Sequence, residues 1–103
     1  MSLLVSLSSF NNGEIKNFLE RFYQKDIIMD DDVAQWAYTF RKPLDAIDLI
    51  CAIIDNDHQF NISVDIQMDN GNVHNVTPLN CNDIIKGLLY LFSEECPLQN
   101  QSS

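Results

Sequence analysis

Fifteen carboxylates, two histidines and three cysteines carry the chemistry available to this 103-residue chain. The carboxylates are clustered. Residues 26–57 hold eight aspartates against Arg41 and Lys42, a net of −6 within a chain of net charge −9. Residues 1–25 are slightly basic, with Lys16, Arg21 and Lys25 against Glu14 and Glu20. Two patterns stand out in the acidic block. Asp30, Asp31 and Asp32 run consecutively ahead of Trp36, Tyr38 and Phe40. Asp45, Asp48 and Asp55, continued by Asp57, recur at helical spacing. One and two helical turns place such carboxylates ~5 to 10 Å apart, near the phosphate spacing of a nucleic-acid strand. A row of this kind suits a basic groove on a partner protein, because complementary charge raises the rate of encounter and selects the partner. The same charge repels nucleic acid and anionic membrane, so neither is an expected direct ligand.

Metal and catalytic readings are weaker. Residues 55–61 (DNDHQFN) echo a calcium loop, but Phe60 stands where glycine is needed and Ile66 where the closing glutamate belongs. His58, His74, Cys81 and Cys96 are zinc-ligand types without a paired Cys-x-x-Cys or His-x₃-His spacing. His74 meets Asp65 or Gln67 only in one hairpin register, which leaves a carboxylate–histidine base as a minor reading. Three glycines exclude a phosphate-binding loop. No cysteine has neighbours that would lower its pKa, and Cys51 reads as a small core residue. No catalytic residue, metal or cofactor is expected.

The elements that position these groups follow from periodicity. Leu3–Ser9 reads as a short edge strand. In residues 10–25, Ile15, Phe18, Leu19, Phe22 and Tyr23 form one buried helical face. Asn11 reads as its N-cap with Glu14 three residues on, and Phe10 with Ile15 as a hydrophobic staple. In residues 27–40 (IIMDDDVAQWAYTF), Val33, Trp36, Ala37 and Phe40 fall at helical spacing. The three aspartates then cap a second helix and Arg41 and Lys42 close it. Trp36 reads as core and Tyr38 as rim. Pro43 opens a third helix. Its apolar arc of roughly 220° must be covered on two sides, within the domain or by a second subunit.

Phe60, Ile62, Val64, Ile66 and Met68 alternate with polar residues in the clearest strand, whose open face would carry Asn61, Ser63, Asp65 and Gln67. Asn70-Gly71 signals a hairpin to residues 73–77. The expected register sets Ile66 opposite Val76 and Met68 opposite His74, which turns Val76 to the core. The last helix starts at Asn80 or Asn82. It buries Ile84, Ile85, Leu88, Leu89, Leu91 and Phe92, with Gly87 admitting a close neighbour.

The segments NGEIKNFLERFY, AIDLICAIIDNDHQFNISVDI and NVTPLNCNDIIKGLLYLF resemble small acidic cytosolic proteins of clostridial-type Gram-positive bacteria, which have no assigned function. That resemblance implies a bacterial cytosolic protein and carries over no functional residue. Size, acidity and element order are also similar in class to toxin-immunity proteins and phage-encoded inhibitors.

The expectation is a two-layer α+β domain over residues 1–96, in the order (β)-α-α-α-β-β-α, with a polar tail at 97–103. It would be a cytoplasmic, non-catalytic domain that presents Asp45, Asp48, Asp55 and Asp57 to a basic protein partner. The wide apolar arc leaves a structural or homo-oligomeric module, such as a homodimer, as the rival reading, and a small histidine- or metal-dependent enzyme is the third.

Overall fold

Leu3, Val5 and Leu7 alternate with Leu4, Ser6 and Ser8, and this parity builds the fold. The first three are almost fully buried, and the second set is half-buried. The computed structural model describes residues 2–11, 13–30, 32, 34–57 and 59–95, with 93–95 described in their backbone only. It is a mixed α+β structure of three helices and a four-stranded antiparallel sheet. In chain order these are β1 (Leu3–Ser9), α1 (Glu14–Tyr23), β2 (Gln35–Phe40), α2 (Pro43–Asp55), β3 (Ile62–Met68), β4 (Val73–Val76) and α3 (Cys81–Glu95). The strands lie in the order β2-β1-β3-β4. Residues 97–103, expected as a polar tail, lie outside the described residues.

Two expectations about the strands are corrected. β1 is not an edge strand: it sits between β2 and β3. Residues 35–40 form β2, not a helix, so the described residues hold three helices and not four. QWAYTF satisfies both periods, because Trp36, Tyr38 and Phe40 also alternate with Gln35, Ala37 and Thr39. Six residues rich in aromatics and threonine favour the strand, and β1 offers them a row of backbone partners from Leu3↔Phe40 to Ser8↔Gln35. Asp30 and Asp32 are therefore exposed acids on the connection between α1 and β2, not caps. Asp31 and Val33 lie outside the described residues. Arg41 and Lys42 join β2 to α2, and Lys42 holds the N-cap position of α2 without a side-chain cap bond.

α1 forms where its apolar spacing predicts, but its start differs. Gly13, at φ +75°, is the N-cap, and Phe10 is fully exposed, so there is no staple. Glu14 instead gathers donors from three segments. Its carboxylate accepts from the Ser9 hydroxyl at 2.5 Å, the Asn11 side-chain amide at 3.3 Å and the Asn61 backbone N–H at 3.1 Å. It thus ties the end of β1 and the chain leading into β3 to the first turn of α1.

α2 crosses from β2 to β3, which flank β1 and run parallel to each other. It packs on all three strands and on α3. Ala46, Ile47, Leu49, Ile50 and Ile53 are buried, and Cys51, Ala52 and Ile54 pack against the same core. Most of the wide apolar arc is thereby covered within the chain, though Leu44 stays 63% exposed.

The β3–β4 hairpin takes a register other than the expected one: Val64 lies opposite Val76 and Ile66 opposite His74. The Met68 N–H donates to the Asn72 carbonyl, and the Gly71 N–H to that of Met68. This is a three-residue loop whose last residue must be left-handed, and Gly71 has φ +88°. The expected register would have put Asn72 there. The two differ by two residues, so Val76 still faces the core.

α3 begins at Cys81. The Asn80 side chain accepts from the Thr77 N–H at 2.8 Å and donates to the Asn75 carbonyl at 3.0 Å, which locks the preceding turn. Leu88 and Phe92 are buried, whereas Leu89 is exposed. A Cβ added at Gly87 would meet no atom of the described residues within 4 Å, so none of them approaches closely there.

Candidate functional site

Strand alternation lays Trp36, Tyr38 and Phe40 on the core-facing side of β2, opposite Leu7, Val5 and Leu3. At the edge of the sheet this row is only partly covered. Phe40 is buried, Trp36 half-buried and Tyr38 56% exposed. Trp36 and Tyr38 stack with centroids 6.0 Å apart and planes at 10°, and Tyr38 meets Phe40 edge-on at 4.9 Å. The two rings share a side, whereas a helix would have separated them.

The C-terminal end of α1 forms the facing wall. α1 ends on Gln24 in a left-handed conformation, and Glu20 accepts from the Ile27 N–H at 3.0 Å, which turns the chain back. Phe22 and Tyr23 pack edge to face at 4.9 Å, and the Lys25 ammonium lies 6.0 Å from the Tyr23 ring centre. Between this wall, β2 and the first turns of α2 lies a groove of about 750 Å³. Partial burial raises the Tyr23 phenol above its ordinary pKa, with Tyr38 and Asp45 adding to the shift.

The groove concentrates charge of both signs. Lys25, Arg41 and Lys42 line it, half of the cations in the chain, together with Asp45 and Asp48. Of the four aspartates singled out from sequence, it thus brings two together. Asp55 and Asp57 lie toward the other end of α2, roughly 15 Å along the axis from Asp45 by helical rise. All four are exposed.

The remaining candidates disperse. Cys51 on α2 and Cys81 on α3 lie close enough to influence each other's ionisation. Burial, with the negative charge of Asp55 nearby, pushes both thiols above their ordinary range. That is the opposite of an activated nucleophile. His74 is exposed opposite Ile66, on the other face of β3–β4 from Asp65. Asp65 instead accepts from the Asn75 side-chain amide at 3.0 Å. The carboxylate–histidine pair is therefore not formed. His58 and Cys96 lie outside the described residues. Among the described residues no three metal-ligating side chains converge, and no helix is long and apolar enough to cross a membrane.

Sequence reasoning missed the groove. Its signal was present in the period-two placement of Trp36, Tyr38 and Phe40 just before Arg41 and Lys42. Fold and site together define a small acidic α+β domain with an aromatic groove beside an acidic helix flank. Comparison with protein-family models, with curated proteins and with solved structures gives no significant match.

Proposed function

We propose that this chain is a non-catalytic protein-binding domain of the bacterial cytoplasm, a two-layer fold of the immunity or inhibitor type that engages a basic surface. The observation that carries this reading is the exposure of Asp45, Asp48, Asp55 and Asp57 along one flank of α2 and its C-terminal turn. The Asp45 end adjoins exposed aromatics, and aromatic residues are enriched where protein interfaces are strongest. Carboxylates in an exposed row set on-rate and partner choice more than affinity, which suits an inhibitor that must find a basic target quickly.

The test is a photo-crosslinking residue placed at position 48 in the source cell, with position 63 on the open sheet face as control. A defined basic protein should be trapped from position 48 alone. The yield should fall at least about tenfold in the quadruple variant Asp45→Asn, Asp48→Asn, Asp55→Asn and Asp57→Asn. Equal yield from that variant, or equal trapping at position 63, would refute the assignment.

A further inference from the structure

The sheet has two edges, and they are treated differently. β4 has four residues and is followed by Pro78, which keeps that edge short. β2 has six residues and lacks charge, proline or bulge between Gln35 and Phe40. The Ser9 N–H donates to the Ala34 carbonyl at 2.9 Å. Antiparallel alternation then directs the main-chain groups of Trp36, Tyr38 and Phe40 to β1 and those of Gln35, Ala37 and Thr39 to the open edge. Strands left in this state are templates for another strand.

We propose that the occupant of this edge is β2 of a second copy, paired antiparallel about a two-fold axis at Ala37. Charge is complementary across that axis. Exposed Asp30 and Asp32 precede the strand and exposed Arg41 and Lys42 follow it. Pairing Ala37 with Ala37 sets Gln35 against Thr39 and Trp36 against Tyr38. The same direction sets the acidic approach to β2 in one copy, with Asp30 and Asp32, toward the basic exit from β2 in the other, with Arg41 and Lys42. The uncharged six-residue strand thus carries acids at one end and bases at the other, as self-pairing in this direction requires and as parallel pairing would penalise. All the outward main-chain groups of Gln35, Ala37 and Thr39 find partners in this register. The exposed Tyr38 ring gains Trp36 of the other copy across a non-hydrogen-bonded pair, where side chains approach most closely. The result is one continuous eight-stranded sheet. It does not depend on the acidic-flank reading, since none of Asp45, Asp48, Asp55 and Asp57 lies on β2.

The test is sedimentation velocity on the full chain over a wide concentration range. The wild type should move from 11.8 kDa toward twice that mass as concentration rises. Two charge-swapped chains, one Arg41→Asp/Lys42→Asp and the other Asp30→Lys/Asp32→Lys, should each self-associate about tenfold more weakly or worse. Mixed in equal amounts they should associate with each other about as tightly as the wild type, because every cross-strand pair is again opposite in sign. Ala37→Lys, which faces two ammonium groups across the axis, should abolish dimers while leaving the melting temperature of the monomer unchanged. A wild type that stays monomeric at millimolar concentration would overturn the proposal. So would a dimer indifferent to Ala37→Lys, or charge-swapped chains that fail to recover on mixing.

Discussion

Replacing Glu14 by alanine should destabilise the fold by about 3 kcal/mol. The carboxylate accepts from the largely buried Ser9 hydroxyl, and a hydrogen bond to a charged group contributes roughly 1.5–3 kcal/mol. Its place in the first turn of α1 adds about 0.3–1 kcal/mol through the helix dipole. The Asn61 N–H and the Asn11 amide are exposed and can turn to water, so their loss adds only a few tenths. For a domain of this size about 3 kcal/mol lowers the melting temperature by roughly 12 °C. Glu14→Gln, which keeps the volume and one acceptor, should lose about half as much. Urea unfolding of Ser9→Ala, Glu14→Ala and the double variant isolates the pair, with an expected coupling energy of about 1.5 kcal/mol. Additive single effects, or a Glu14→Ala change below about 1 kcal/mol, would refute the claim that this carboxylate holds β1, α1 and the approach to β3 together.

Gly71→Ala should cost about 1–2 kcal/mol in denaturant unfolding, entirely from the left-handed backbone, since the added methyl meets no atom within 4 Å. Phe10→Ser should change stability by less than about 0.5 kcal/mol, because the ring is fully exposed; a larger loss would restore the staple. The thiols of Cys51 and Cys81 hold their protons more tightly in the folded chain than in the unfolded one. Their contribution is therefore complete below the ordinary thiol value of 9.0 and declines as pH rises through the raised folded values. Melting temperature against pH should fall on the alkaline side, and more shallowly in the Cys51→Ala/Cys81→Ala variant.

The elements that sequence revealed are those in which one period excluded the other. Ile62 to Met68 alternate strictly, and a helix would scatter their apolar side chains. Ile15 to Tyr23 repeat at helical spacing, and a strand would expose half of them. Residues 35–40 satisfy both periods, and what decided between them was the partner row on β1, which lies far off in sequence. The same distant pairing hid the groove, whose walls come from α1, β2 and α2. The hairpin register turned on which loop position needed a left-handed residue, a local fact that the pairing argument passed over. The row of aspartates was legible because a helix fixes its own faces.

The strand made first is the one that ends up in the middle of the sheet. Val5 pairs with Tyr38 on one side and with Ile66 on the other, so both partners are translated long after it. By contrast β3 and β4 can close on each other through a three-residue loop, on the order of microseconds for a hairpin. Folding should then run from the later part of the chain back to its beginning, with the β3–β4 ribbon as the template that recruits β1. A ribosome-bound chain that has exposed residue 55 but not β3 holds an apolar strand with one of its two partner strands missing. For that interval one edge of β1 stays open, and it closes only once β3 (Ile62–Met68) has emerged.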